Sequence, residues 1–280
     1  MSLTLDLVQS WLQKRPVDAH KGMFGHVLVV GGDNGMPGAV RLAGEGALRT
    51  GGGLVTVLTR KAHICSTVAA CPELLCYGVD SDTSVLDQLL EKATFIVLGP
   101  GLGQSNWSKQ LFDKIIVSSL PMLIDADGLN WLSHYERTVS PRPNWILTPH
   151  PGEAARLLGI STQDVQANRR QSIQLLQTRY GGVIVLKGAA SMIATTDEPI
   201  QCCFAGNPGM ASAGMGDLLS GMIAGFAAQG LTLWQAAQIG VLLHAMAGDR
   251  VAKNHGERGM SAHDLLAELL PLLNYNGKKT

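Results

Sequence analysis

Late in the chain stands the stretch Gly206-Asn207-Pro208-Gly209-Met210-Ala211-Ser212-Ala213-Gly214-Met215-Gly216-Asp217, and an apolar helical run, Leu218 to Ala228, follows at once. Its four glycines let the backbone take positive φ and approach a ligand closely. The start of the next helix turns free N–H groups and a partial positive charge toward the loop. Loop and helix start together suit a phosphate. Asp217 stands where loop becomes helix, as a carboxylate able to take a proton beside that phosphate. A plain structural account also fits: Asp217 as an N-cap and the glycines as a tight turn.

Other residue groups could join this chemistry. Lys187-Gly188-Ala189-Ala190-Ser191 follows an apolar run directly. Small residues there let backbone N–H groups meet an anion or a nucleotide edge, or they simply make a turn beside a surface lysine. His150 sits between Pro149 and Pro151, which restrict the backbone on both sides. Glu153 then reads as an early-helix carboxylate facing the dipole. Asp125 and Asp127 end another apolar run and could hold Mg²⁺ through water. Asp127 is expected to cap a short helix, Gly128–Leu132, which leaves Asp125 as the functional candidate. There is no phosphate-binding G-x-x-x-x-G-K-[ST] loop, no G-x-G-x-x-G fingerprint at Gly99–Gly103, no G-x-S-x-G elbow and no zinc spacing of His and Cys.

The elements that must position these residues alternate. Apolar runs predict strands at His26–Gly32, Leu54–Thr59, Glu73–Tyr77, Phe95–Leu98, Pro121–Ile124, Trp145–Leu147 and Val183–Leu186, with a hairpin of Ser191–Ala194 and Ile200–Phe204. Helical spacing predicts Leu3–Lys14, Ala39–Thr50, Ala62–Ala70, Ser84–Lys92, Trp107–Ser119, Ala154–Leu158 and Thr162–Tyr180, then three helices between Gly216 and Leu273. Such alternation means an α/β fold with a mainly parallel sheet and helices on both faces. Ligands bind outside the carboxyl ends of such strands. The groups named above all fall at strand ends, so the pattern points to an enzyme.

Composition bounds the rest. With 280 residues, the chain is read as a single domain, 1–280. Lys+Arg and Asp+Glu balance at 22 each, so neither a nucleic-acid stripe nor an acidic tail is present. The cysteines number five and form no C-x-x-C pair, which predicts buried free thiols. No apolar stretch reaches about 18 residues and no basic region precedes an apolar run, so the expectation is a cytoplasmic protein without membrane span or signal peptide.

Taken in order, these segments resemble the ribokinase-like superfamily and, within it, the dehydratase of the NAD(P)HX repair system. The resemblance rests on Lys21-Gly22 to Gly32, Gly51 to Val57, Gly99 to Gly103, Asp125-Ala126-Asp127-Gly128-Leu129-Asn130, Leu147 to Glu153, Val185 to Gly188 and Gly206 to Asp217. It implies a three-layer αβα sandwich. It further implies ADP-dependent dehydration of the S epimer of hydrated NADH or NADPH, with Mg²⁺, a hydro-lyase reaction that restores the reduced cofactor. Asp217 would be the base. Ala39, Gly101, His150 and Asp217 would contact the hydrated dinucleotide. Lys187, Gly188, Ala189, Ala190, Ser191, Asn207 and Gly216 would hold the adenine nucleotide, and no protein side chain is assigned as a direct metal ligand. A separate epimerase and a homotetramer are expected on the same ground. The rivals are a thiazole or pyrimidine precursor kinase of that superfamily, and a silent nucleotide-binding regulator.

Overall fold

The computed structural model describes residues 3–135 and 140–274. The strands are β1 (His26–Val30), β2 (Leu54–Thr59), β3 (Leu75–Gly78), β4 (Phe95–Leu98), β5 (Met122–Ile124), β6 (Trp145–Leu147), β7 (Val183–Leu186), β8 (Ser191–Ala194) and β9 (Gln201–Cys203). They form one sheet in the order β3-β2-β1-β4-β5-β6-β7-β8-β9. The pairs among β1 to β7 are parallel, and β8 and β9 add an antiparallel edge.

The helices are α1 (Leu5–Gln9), α2 (Pro37–Arg49), α3 (Ile64–Ala70), α4 (Ser84–Lys92), α5 (Asn106–Ile116), α6 (Ala126–His134), α7 (Pro151–Leu158), α8 (Thr162–Ala167), α9 (Arg169–Tyr180), α10 (Met215–Ala228), α11 (Leu233–His255) and α12 (Ala262–Leu273). Strand side chains alternate between two cores. Val27, Val29, Val55, Val57, Val97 and Val185 face α2, α10, α11 and α12. Leu28, Val30, Ile96, Leu98, Ile124 and Leu186 face the layer of α4, α5, α6, α7 and α9. Both faces are covered, as the continuous apolar strand runs require.

α10 lies close on α2 because it carries glycine at the contact. A Cβ at Gly221 would stand 1.9 Å from the Ala43 carbonyl oxygen. Gly221→Ala would force the helices apart, at about 1–3 kcal/mol, read as a lower unfolding midpoint. The approach matters because α10 begins at the glycine loop and α2 begins beside β1.

Three expectations are corrected. The helix expected over Leu3–Lys14 spans only Leu5–Gln9, after which Trp11 and Leu12 donate to Val8 and Gln9 in tighter turns. The helix expected over Thr162–Tyr180 is two, broken at Asn168, whose φ of −131° is not helical. The five cysteines are free, but only Cys203 is buried and Cys65 is exposed.

Candidate active site

The sheet order changes direction between β1 and β4, which are neighbours. That switch and the carboxyl ends of β5, β6 and β7 form one edge.

At the end of β7, Lys187 reaches back across the sheet. Its Nζ donates to Asp125 Oδ1 at 2.7 Å and lies 3.8 Å from Glu153 Oε2. Asp125 is 1% exposed at the end of β5, and its Oδ2 accepts Ser220 Oγ of α10 at 2.7 Å. Burial works against the Lys187 charge, but Asp125 and Glu153 outweigh it and hold the ammonium above its ordinary range. Lys187 is therefore no surface lysine.

His150 is the N-cap of α7. Its Nδ1 accepts Gly152 N–H at 3.0 Å and Glu153 N–H at 3.3 Å, while Glu153 Oε2 accepts the His150 N–H at 2.7 Å. This reciprocal box satisfies orphan donors at the helix start. It also fixes the imidazole: Nδ1 is the acceptor, so Nε2 carries the proton and lies 3.3 Å from Glu153 Oε1. Burial and the Lys187 and Arg156 charges push His150 below its ordinary pKa, which suits the neutral form. Glu153 is 5% exposed. Burial pushes its carboxyl up to about 7, with Lys187 opposing.

The glycine loop closes over this cluster. Gly214, at φ 87°, is the N-cap of α10 and has no side chain to bond the first N–H groups. Among the described residues, the N–H groups of Ser212, Ala213, Gly214 and Asp217 donate to no protein acceptor. A Cβ at Gly216 would stand 3.3 Å from Lys187 Nζ and 3.7 Å from Asp125 Oδ2, so glycine keeps the helix start open beside the ammonium. Asp217 follows in the first turn, half-buried, and its side chain caps nothing. Burial pushes it up to about 6, Asp125 and Asp127 add to the rise, and Lys187 opposes it. A free carboxylate of that kind is a proton acceptor near neutral pH.

The sequence profile of the family described as NAD(P)H-hydrate dehydratase matches residues 27–271. The chain belongs to that family. It is similar to the bifunctional NAD(P)H-hydrate repair enzyme Nnr of Coxiella burnetii, with 53% identity over 94% of this chain and 53% of the relative. The chain thus spans about half the length of the curated relatives it matches. It is also similar to the solved ADP/ATP-dependent NAD(P)H-hydrate dehydratase of Bacillus subtilis, co-crystallised with ATP/Mg²⁺. Identity there is 29%, the TM-score is 0.83, and 96% of each chain is covered. A hydroxyethylthiazole kinase of Pyrococcus horikoshii, at 11% identity and a TM-score of 0.64 over 98% of this chain and 94% of the kinase, shares the ribokinase-like fold alone.

Within the dehydratase-family fold, the residues expected to act fall in two groups. Asp125, His150, Lys187, Gly216 and Asp217 converge with Glu153 at β5 to β7. Ala39 and Gly101 meet at the β1–β4 switch, where a Cβ at Gly101 would lie 3.0 Å from the Ala39 Cβ. α2 links the groups, because a Cβ at Gly214 would lie 2.5 Å from Leu42 Cδ1, one turn beyond Ala39. Gly188, Ala189 and Ala190 form the β7–β8 turn, and Ser191 opens β8. Ala190 is held there at φ 54°, a strained value for a residue with a Cβ. The Asn207 carboxamide is engaged on both sides: its Oδ1 accepts Gly209 N–H within the loop, and its Nδ2 donates to Asp249 of α11. Asp127 is not the cap expected: Asp125 holds the N-cap position, and Asp127 accepts Gly103 N–H at 2.8 Å through Oδ2.

The sequence reading missed several residues. Ser220 lies three residues after Asp217, on one face of α10, so helical spacing could have revealed it. Arg169 collects the carbonyls of Leu186, Lys187 and Ala190 at 3.2, 3.4 and 3.5 Å, holding the strained turn. His244 of α11 is buried against the Met215 backbone and pushed down to about 4 by burial. Among the described residues its Nε2 has no hydrogen-bond partner. A cavity of about 940 Å³ bounded by α2, α11 and α12 shares no residue with this site.

Proposed function

We propose that this chain dehydrates the S epimer of hydrated NADH or NADPH with ADP as co-substrate, releasing AMP and phosphate. The observation that carries the proposal is Asp217: an uncapped, half-buried carboxylate with its pKa pushed up to about 6, beside free loop amides and the Lys187 ammonium. The adenine nucleotide would lie along Lys187 to Ser191 and Gly216, with its terminal phosphate on the amides of Ala213 to Gly216 and on Asn207. The hydrated dinucleotide would reach from Ala39 and Gly101 to His150 and Asp217.

In this reading the Asp217 carboxylate accepts the proton of the ring hydroxyl. That oxygen then forms a bond to the terminal phosphorus of ADP and the bond to AMP breaks. The phosphate departs with the oxygen as the ring nitrogen lone pair forms an iminium, and loss of the proton from the adjacent ring carbon to the departing phosphate restores the double bond. The amides hold the charge on the phosphoryl oxygens. Both Asp125 oxygens and both Glu153 oxygens already have protein partners. That fits Mg²⁺ carried by phosphate oxygens and waters, where it would neutralise phosphate charge, with these carboxylates as outer partners. The S epimer would be supplied by a separate epimerase activity.

The test is recovery of NADH absorbance from hydrated NADH with ADP and Mg²⁺, with AMP and phosphate counted against NADH. Stoichiometric release is expected. ADP turnover absent, or phosphate transferred to a vitamin precursor alcohol instead, would overturn the reading. Size-exclusion chromatography with light scattering checks the homotetramer.

A further inference from the structure

Asp249 lies on α11, outside every strand-end loop. Its Oδ2 accepts Gly206 N–H at 2.9 Å, and its Oδ1 accepts Asn207 Nδ2 at 2.9 Å. Asn207 Oδ1 in turn accepts Gly209 N–H at 3.0 Å. One carboxylate thus ties a helix to the upstream end of the glycine loop. The preceding residue adds a steric seat: a Cβ at Gly248 would lie 2.5 Å from Met210 Sδ, so Met210 fills that notch. Met210 N–H and Ala211 N–H bond back to Asn207 and Pro208. The free amides begin only after this pinned part, at Ser212.

The chemistry of the contact is specific. Both neighbours of Asp249 donate, so the side chain between them must only accept. Asn has the same size but would turn an NH₂ group toward one donor. The bond also fixes the Asn207 carboxamide: its oxygen faces Gly209, one Nδ2 hydrogen faces Asp249, and the second Nδ2 hydrogen remains for a ligand.

We infer that Asp249 is a positioning residue for the phosphate of the nucleotide. It sets the Asn207 carboxamide and the pinned half of the loop, and through them the aim of the free amides and of the second Asn207 hydrogen. It touches no reacting atom. The inference rests on the proposed nucleotide reading and deepens it.

Asp249→Asn and Asp249→Ala in the full chain test it, with two readouts. In steady-state kinetics, kcat/KM for ADP falls about tenfold to hundredfold, the loss expected for one charged hydrogen bond. KM for hydrated NADH stays within twofold, and Asp249→Glu recovers part of the loss. A merely structural residue would lower the unfolding midpoint and leave the ADP parameters intact, and that result overturns the inference. Amide hydrogen exchange is the readout independent of activity. Gly206 and Gly209 N–H exchange faster in Asp249→Asn than in wild type, and unchanged exchange overturns the inference. Absence of wild-type ADP turnover would instead remove the proposed function, while the exchange result would still decide whether Asp249 orders the loop.

Discussion

Two stretches of the same sheet edge handle charge in opposite ways. At the β1–β4 switch, Asp33 is saturated. It accepts Arg60 Nε at 2.7 Å, Ser105 Oγ at 2.6 Å and Asn34 N–H at 2.8 Å, and Arg60 stacks over Trp107 at 4.3 Å. Burial works against the Asp33 charge, but the Ser105 and Arg60 hydrogen bonds win and hold its carboxyl below the usual range. At β5 to β7, Asp125, Glu153 and Asp217 share one ammonium, Lys187, and two of them are pushed up toward neutrality. One stretch is balanced and locked. The other holds an excess of carboxylate that a proton, a cation or a substrate hydroxyl can relieve. A scaffold is built the first way and a reacting centre the second.

The largest break in this contrast is Asp217→Asn. If Asp217 is the base proposed above, removing it lowers kcat by about 10²–10⁴, measured as NADH recovery, while the unfolding midpoint holds or rises because a half-buried carboxylate with no ion-pair partner among the described residues has been removed. No change in kcat would place the base elsewhere.

Lys187→Met comes next. It strands Asp125 in the core with only Ser220 as partner, at about 3–5 kcal/mol, read by denaturant unfolding. Adding Asp125→Asn to it should return part of that loss. A double variant no better than the single would deny the pairing.

The pH dependence of stability separates the two stretches by sign. Asp217 and Glu153 have raised folded pKa values, so between about 4 and 7 the folded state binds more protons than the unfolded one, and their contribution falls as pH rises. Asp33 has a lowered folded pKa, so its contribution is present above the ordinary carboxyl range and is lost as pH falls below it. Asp217→Asn should flatten the first slope, and Asp33→Asn the second, in unfolding midpoints taken across pH. In activity, kcat/KM should fall below about pH 6 as Asp217 takes up a proton.

The smallest effect is Asp33→Asn at neutral pH. Weakening one hydrogen-bonded ion pair lowers stability by about 1–2 kcal/mol and raises KM for the hydrated dinucleotide severalfold with little change in kcat. A kcat loss as large as that of Asp217→Asn would erase the distinction between scaffold and centre.

Much of this edge was legible before any coordinates. Val27 to Val30, Phe95 to Leu98 and Val183 to Leu186 are β-branched or apolar runs that only a sheet covered on both faces can bury, and each ends in glycine or a charged residue. The short box Thr148 to Glu153 announced a rigid helix start, though its capping use of His150 Nδ1 was not visible. Asp127 misled because helix-cap statistics cannot say which of two carboxylates faces the loop and which the core. Arg169 and Asp249 gave no local signal. Each acts on a segment distant in sequence, Arg169 on the β7–β8 turn and Asp249 on the glycine loop.

The sequence by itself determined the strand and helix series, the glycine loop at a helix start and the carboxylate that follows it, because hydrophobic period and backbone freedom are local properties. Only the tertiary structure decided which charges meet. Lys187 lies 62 residues from Asp125, and Ser220 lies 95 residues from it. Their contact depends on sheet order and on how closely α10 settles on α2. The protonation of Asp217 follows from that contact, since burial and neighbouring charge, not residue type, set it.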